Sequence, residues 1–467
     1  MQIGRRDLLW NYAATSMRIL SGIVVLPVIL RMLPSEEIGI WSIFLSLMTI
    51  TSLLDFGFSN SFSRNITYVY SGVKELRTKG YALAETSEID YGLLKSLLSA
   101  MKRYYSIAAL VFLLLFLAVS PFYMSSVLEQ YSGDKQTIWI AWFIFGSILA
   151  YELYTYYYNA ILTGRGLVKH NMQITVISQS TRIIVTLVLL LTGLGIISLV
   201  LGILISDIVN RTLSHYVFYD RKTKANLRNV IPAEISSKVI KIMLPNSIRL
   251  GLVALGSFGI NQAMILISPF YLPLPEVAAY GISRQLVMLI YNFGFTWLLT
   301  FLPQLSQYRV QQDYNGVKRL YIKGRISMIL VFIVFGAMLL LFGNYALDLI
   351  NSKTSLLNPT YLFLMLLFAL LDANQNIAIS TLSTKNEVPY FKSVMLTGFA
   401  SVLLLILMFN YTSFGVLCLI LAPNIAMCAY QNWKWTLTVA KEINLQSKDY
   451  IIVIRNFYNE QKNKKFK

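Results

Sequence analysis

The sequence has little charge, little cysteine and little histidine. Only 13% of its 467 residues are Asp, Glu, Lys or Arg, against roughly 25% in a soluble globular domain. Hydrophobic residues make up 56% and the mean hydropathy is +0.59, so the composition excludes a soluble protein. The two cysteines, Cys418 and Cys428, lack the spacing of a zinc site, and we predict no metal centre.

Acidic residues are the scarcer kind of charge. There are 22 Asp and Glu against 40 Lys and Arg, a formal net charge of +18. In a soluble chain this excess suggests nucleic acid, but in a membrane protein it is typical of cytoplasmic loops, and we predict no nucleic-acid partner. The sequence contains no phosphate-binding loop of the form GxxxxGK(S/T), so we expect neither an ATPase domain nor a cofactor.

Apolar runs long enough to cross a bilayer recur along the chain. A transmembrane helix needs about 20 apolar residues, and the sequence predicts an all-α polytopic membrane protein with about twelve such helices. Arg18 interrupts the first run, which follows Arg5 and Arg6, so we interpret this run as a retained helix and not as a cleaved signal. The predicted spans are 8–33, 38–58, 104–126, 137–162, 170–193, 195–219, 239–267, 274–302, 325–350, 357–382, 390–410 and 412–437.

The basic residues give this arrangement an orientation. Twelve spans place 30 of the 40 Lys and Arg on one side of the membrane, whereas Lys135 and Lys353 fall on the other side. Because basic loops stay in the cytoplasm, we predict that both termini are cytoplasmic and that the protein lies in a bacterial inner membrane.

Two similar segments lie half a chain apart. LPSEEIGIWSI at residues 33–43 leads into the second span, and LPLPEVAAYGI at 272–282 leads into the eighth. Aligning Glu37 with Glu276 gives an offset of 239 residues, or six helices, although Pro-x-Glu is also a common helix start. We interpret the pair as a duplication, which predicts two parallel six-helix lobes. The predicted parts are an N-terminal lobe (1–219), a cytoplasmic linker (220–238), a C-terminal lobe (239–437) and a basic cytoplasmic tail (438–467).

Ten charged residues stand out by their depth within the predicted spans or, for Arg64, by their place near the cytoplasmic mouth, where a charge is costly unless it faces a partner or a cavity. The cations are Arg18, Arg64, Arg182, Arg211, Arg249 and Arg284, and the anions are Asp55, Glu152, Asp207 and Asp372. Asp207 and Arg211 are four residues apart, a spacing that predicts an intrahelical pair. Glu152 and Arg182 lie at a similar depth and could pair as well. Asp55 could do no more than order the end of the second helix.

Arg18 and Arg249 lie ten residues into the first and seventh predicted spans, which the duplication makes equivalent. No acidic residue is within four positions of either. A guanidinium presents a fork of donors that fits phosphate or carboxylate. Together with Arg284 on the eighth span, they predict a cationic cavity that binds a diphosphate or an acidic sugar. The alternative is that they snorkel, or pair with Asp55 or Asp372.

Three segments near the start of the chain carry a resemblance to a known family. They are WNYAAT (10–15), LPSEEIGIW (33–41) and SLLDFGFSNSFSRNI (52–66). They resemble the corresponding stretches of Wzx-type O-antigen flippases, in the polysaccharide transporter branch of the multidrug/oligosaccharidyl-lipid/polysaccharide (MOP) superfamily. The motifs cover residues 8–72, while the twelve helices and two lobes of that family match the whole chain.

The resemblance implies a flippase that moves an undecaprenyl-diphosphate-linked oligosaccharide from the cytoplasmic to the periplasmic leaflet. Its implied partners are this substrate, membrane lipids and other polysaccharide assembly proteins. By helix and depth, Arg18, Arg249 and Arg284, with Arg64 near the cytoplasmic mouth, match the substrate-binding cations of such flippases.

Two other classes stay open. The first is a drug exporter of the same superfamily, which would favour acidic cavity residues. The second is a membrane glycan polymerase, which would need a catalytic acid–base set. The longest outer loop offers only Glu129 and Asp134, so we do not expect an enzyme.

Overall fold

The structure, a computed structural model, describes residues 10, 17, 24–76, 88–384, 389–453 and 455, and only the backbone of residues 246, 303 and 310. All regular elements in these ranges are helices. The predicted all-α class is therefore confirmed. Arg18 lies outside the described residues.

The helices are numbered in chain order. Those of the first half are α1 (24–32), α2 (Ser35–Leu54), α3 (Phe58–Tyr70), α4 (Tyr91–Glu129), α5 (Lys135–Tyr154), α6 (Tyr157–Gly164), α7 (Val168–Leu191), α8 (Ile196–Phe218) and α9 (Arg221–Arg228). Those of the second half are α10 (Ser236–Asn261), α11 (Ala263–Ile267), α12 (Leu274–Val310), α13 (Tyr314–Leu349), α14 (Pro359–Ser383), α15 (Phe391–Tyr411), α16 (Leu417–Ala429), α17 (Gln431–Glu442) and α18 (447–453).

Short polar residues begin several of these helices. The side chain of Asp90 accepts a hydrogen bond from the backbone N–H of Leu93 at the start of α4 (2.9 Å). Asn358 does the same for Tyr361 at the start of α14 (2.8 Å), where Pro359 occupies the first helical position. Such caps satisfy backbone donors that a helix leaves unpaired, so they fix the residue at which each helix begins.

Within the described ranges, nine helices are long and apolar enough to cross a membrane, and the bent pair 236–245 and 247–261 brings the number to ten. The other two predicted spans correspond to the first one, of which 24–32 is helical, and to 412–437. Many apolar side chains on these helices are exposed, for example Leu114 (59%) and Phe122 (78%) on α4. An apolar surface of this extent is suited to contact with the hydrocarbon core of a bilayer.

Several predicted spans differ from the helices observed, and three of them illustrate how. The second, 38–58, ends as a helix at Leu54, and a new helix begins at Phe58. The last, 412–437, is divided into α16 and α17 at Tyr430, whose φ and ψ are −145° and −50°. The third, 104–126, is part of a longer helix that begins at Tyr91. The Asp90 cap lets the helix begin in the polar residues that precede the apolar run.

The chain forms two compact units. The first comprises 1–258, 273–275 and 350–354, and the second comprises 259–272, 276–349 and 355–467. The start of α2 at Ser35 and the start of α12 at Leu274 are 239 residues apart (274 − 35), the same offset as the sequence duplication. The lobe boundaries that we predicted at 219 and 239 remain a prediction.

Aromatic side chains form the core of the first unit. The Phe44 ring on α2 stacks on Phe145 of α5, with ring centroids 4.8 Å apart, and contacts Trp142 at 5.1 Å. Trp142 in turn donates its indole N–H to Ser120 Oγ on α4 (2.7 Å). A buried indole that finds a polar partner avoids the penalty of an unpaired donor, so these contacts join α2, α4 and α5.

Polar contacts join the last helices of the second unit. Gln431 at the start of α17 donates to Thr397 Oγ1 on α15 (3.1 Å) and accepts the indole N–H of Trp435 (2.6 Å). Lys318 of α13 forms an ion pair with Asp449 of α18 (3.0 Å). The first part of the predicted tail is therefore helical and tied to α13.

An aspartate caps α9 and provides a test of local stability. Hydrogen bonds from Thr223 and Arg165 lower the pKa of the Asp220 carboxyl from 3.8 to about 2. A group with a lowered pKa stabilises the folded state when ionised, and this contribution disappears as the pH falls from about 4 through 2. We expect Asp220→Ala to lower the free energy of unfolding by about 1 kcal/mol at neutral pH, and this difference should shrink in acid. Heat-induced loss of the monodisperse chromatographic peak measures it, and Asp220→Asn, which keeps a capping oxygen, should lose less.

Candidate functional site

The Asp55-Phe56-Gly57 sequence interrupts the second span. Phe56 and Gly57 both have positive φ, 48° and 71°, a backbone region that is costly for a bulky residue and easy for glycine. Asp55 stabilises the break, because its Oδ1 accepts the backbone N–H of Ser59 (3.0 Å) and the hydroxyl of Tyr105 on α4. The motif is thus a helix break whose acid caps the start of α3.

The break packs against α10 in the same unit. A Cβ atom added at Gly251 would lie 1.9 Å from Cδ1 of Phe56. Next to this contact, the hydroxyl groups of Ser61 on α3 and Ser247 on α10 are 3.2 Å apart. Because Gly251 has no side chain, the Phe56 ring rests directly on the α10 backbone. This close contact, which we call the α2 break contact, lies two residues from Arg249.

Four charged residues of α5, α7 and α8 lie together inside the first unit: Glu152, Arg182, Asp207 and Arg211. Both acids interact electrostatically with both arginines. Several of their buried atoms have no hydrogen-bond partner among the described residues: Glu152 Oε2, Asp207 Oδ2, and Arg211 Nε and Nη1.

The pairs that we predicted from the sequence are not closed in this structure. Within the described part of the chain, Asp207 and Arg211 form no ion pair, and neither do Glu152 and Arg182. The reason is that each of these charges has two opposite charges near it, at least one of them on another helix. The spacing of residues within one helix considers a single partner. We call the four residues the four-charge cluster.

An open cleft, with about 590 Å³ of empty space that includes open solvent, lies in the second unit between α10, α12, α14 and α16. Two of the predicted charges, Arg284 and Asp372, line it. Beside them are the carboxamides of Asn261 and Asn424, the ring of Tyr280 and a majority of apolar side chains. Mostly apolar walls with a few convergent polar groups are typical of small-molecule sites.

The opposite charges of this cleft are held apart. Arg284 donates to the carboxamide oxygens of Gln262 and Asn261, both at 3.4 Å, which is long for a hydrogen bond. Asp372 accepts from Asn376 (3.0 Å). Within the described residues, no acid forms an ion pair with Arg284, so the guanidinium keeps most of its capacity to bind an anion.

The structure does not bring all predicted substrate-binding arginines into this cleft. Arg64 on α3 and Arg249 on α10 are exposed and belong to the first unit, and Arg18 is outside the described residues. Sequence reasoning missed the carboxamides of Asn261, Gln262 and Asn424. Asn and Gln inside predicted spans were the available signal, because such groups are expensive in a membrane and mark functional cavities. Within the described residues, no group of three or more His, Cys, Asp or Glu could hold a metal ion.

Comparisons with known proteins identify the fold. No family model matches the sequence, and no curated protein matches it. Solved structures do. An inward-facing multidrug-resistance MATE-family transporter of the MOP superfamily is similar with a TM-score of 0.67 and 13% identity, covering 94% of each chain. The lipid II flippase MurJ, in an inward closed conformation, has a TM-score of 0.63 and 15% identity, covering 96% of this chain and 90% of its own.

A third similar structure is a MOP-superfamily transporter from Pyrococcus furiosus whose binding pocket is described as reversed in polarity, with a TM-score of 0.55 and 13% identity over 94% of this chain and 95% of its own. Taken together, these similarities give the chain the fold of the MOP-superfamily transporters, a multi-pass membrane architecture.

Proposed function

We propose that this protein is a flippase that moves an undecaprenyl-diphosphate-linked oligosaccharide from the cytoplasmic to the periplasmic leaflet of a bacterial inner membrane, with both termini in the cytoplasm. The observation that carries this proposal is Arg284, a cation that faces a cleft with neutral acceptors and that pairs with no acid among the described residues. A diphosphate or an acidic sugar is the ligand that such a guanidinium suits best.

The rest of the cleft fits a sugar. The carboxamides of Asn261 and Asn424 line the cleft and offer both donors and acceptors for hydroxyl groups, and the Tyr280 ring offers an apolar face with a polar tip. We propose that Arg18, Arg64 and Arg249 guide the anion along its path and that the four-charge cluster has a structural or coupling role. The resemblance to Wzx-type flippases and the fold shared with a lipid II flippase both support this substrate class.

A drug exporter of the same superfamily is the second candidate. Asp372 favours it, because a carboxylate in a mostly apolar cleft attracts organic cations. The fold shared with MATE-family transporters supports it equally. The two candidates differ in which charge of the cleft the substrate contacts.

Substitution of the two cleft charges separates the candidates. In a strain that lacks its own flippase, Arg284→Gln should lower glycan export about tenfold or more, the equivalent of a lost hydrogen bond between charged groups. Arg284→Lys should rescue part of it, because an ammonium keeps the charge but loses the fork. Arg31→Gln, the same change at an exposed arginine at the end of α1, should leave export unchanged.

Surface glycan on immunoblots measures export, and membrane protein levels must match between variants. The flippase proposal fails if the wild-type protein restores no glycan but gives resistance to organic cations that Asp372→Asn abolishes.

A further inference from the structure

The segment 220–235 is pinned to the first unit at both ends. At its start, Asp220 accepts hydrogen bonds from the Thr223 backbone N–H and from Arg165 Nη2, both at 2.8 Å. Arg165 lies in the turn between α6 and α7 and also donates to the Phe218 carbonyl (2.8 Å). The first turn of α9 is therefore held in one place.

Its far end is pinned to the first turns of α4. The bonds are Lys95 Nζ to the carbonyls of Leu227 and Val230 (2.9 and 2.7 Å), Ala233 N–H to the Gly92 carbonyl (3.2 Å) and Glu234 N–H to Ser96 Oγ (2.9 Å). Lys95 satisfies carbonyls that the end of α9 leaves unpaired. A loop held by this many bonds presents a fixed outer surface.

The outer surface of α9 is basic. The exposed basic side chains are Arg221, Lys222, Lys224 and Arg228, while Thr223 and Leu227 are buried against the unit. Positions 221, 224 and 228 are three and four residues apart, so they share one face of the helix. Within the described residues, none of these four cations forms an ion pair with an acid.

Two large apolar side chains follow the basic face directly. Ile231 is 85% exposed and Ile235 is 72% exposed, on a stretch whose backbone is pinned by the bonds to α4. Exposed isoleucines are unfavourable in water, and adjacent cations argue against an apolar protein partner. Basic side chains next to apolar ones are the signature of a segment that lies in the membrane interface.

We propose that residues 220–235, which we call the interfacial segment, bind the headgroups of anionic phospholipids. The face formed by Arg221, Lys224 and Arg228 binds the phosphates, and Ile231 and Ile235 enter the boundary between headgroups and acyl chains. Since the segment is bonded to α4, lipid bound there fixes the depth of the first unit in the bilayer. This inference does not depend on the transported substrate.

Fluorescence quenching in lipid nanodiscs tests the proposal. The full-length protein carries Ile231→Cys in a background of Cys418→Ala and Cys428→Ala, and the thiol is labelled with an environment-sensitive dye. We expect a spin label near the lipid headgroups to quench the dye strongly in phosphatidylcholine with added phosphatidylglycerol, and less strongly in phosphatidylcholine alone. High salt should weaken the difference, because salt screens the attraction. Phe122→Cys, exposed on the apolar surface of α4, is the positive reference.

The charged face is tested in the same assay. Changing Arg221, Lys224 and Arg228 together to Gln should abolish the dependence on phosphatidylglycerol, whereas Arg319→Gln, an exposed cation on α13, should preserve it. A dye at 231 that stays in water in both bilayers overturns the proposal and favours a protein partner. An unchanged lipid dependence in the triple variant overturns the role of the basic face. An unaltered elution profile shows that the variants are folded.

Discussion

Gly251→Ala should destabilise the folded protein by about 1–3 kcal/mol, the usual range for an overpacked interior position. The added methyl group would lie 1.9 Å from Cδ1 of Phe56, and the ring must move to admit it. The Phe56 backbone already has a φ of 48°, a conformation held only by its surroundings. The clash therefore strains the helix break itself, and the temperature at which half of the monodisperse peak is lost should fall.

Gly336, a glycine inside another helix, offers a matched control. A methyl group at Gly336 on α13 would meet Leu366 at 3.5 Å, an ordinary contact, and alanine is the better helix former. Gly336→Ala should therefore be neutral or stabilising. In a Phe56→Ala background the penalty of Gly251→Ala should disappear, and the double-mutant cycle measures the coupling directly. If Gly251→Ala proves as harmless as Gly336→Ala, Phe56 does not rest on α10.

Arg211→Gln should have the largest effect on stability. It removes one cation from the four-charge cluster and leaves two buried acids with one arginine. Breaking the balance of a buried charge group costs about 3–5 kcal/mol. Asp207→Asn should cost a similar amount, since it leaves two arginines with one acid. The amount of folded protein recovered from membranes measures both.

The double variant Asp207→Asn with Arg211→Gln should recover most of the folded protein. It keeps Glu152 and Arg182, one charge of each sign, and replacing a whole buried pair is often neutral. Recovery no better than that of the single variants would contradict this charge-balance account. A double variant that is abundant but inactive in glycan export would place the two residues in the transport machinery.

The sequence was sufficient for the fold, because bilayer-length apolar runs constrain a chain more strongly than any other pattern. The start of α12 at Leu274, 239 residues after Ser35 (274 − 35), agrees with the offset read from two short segments. The break at Asp55 was not predictable in this way. Its motif was visible, but the backbone of Phe56 depends on contact with Gly251, which is distant in sequence.

The candidate site was predicted in part. Arg284 and Asp372 were identified by their position inside apolar runs, and they do line one cleft. Helical spacing suggested a closed pair for Asp207 and Arg211, but Glu152 and Arg182 on other helices share their charges. Contacts between helices follow from tertiary packing, and a periodicity within one helix carries no information about them.

The separation of Arg284 from Asp372 affects how tightly the cleft can bind anything. An empty cleft can lower its energy if the two side chains swing together, since an unpaired charge is costly where water is scarce. The closed pair would fill the space that a ligand needs, so the contact between Arg284 and Asp372 would compete with ligand binding. Apparent affinity is then the intrinsic affinity multiplied by the fraction of molecules in which the charges stand apart. The carboxamides of Gln262 and Asn261, which accept hydrogen bonds from the guanidinium, therefore help to set that fraction.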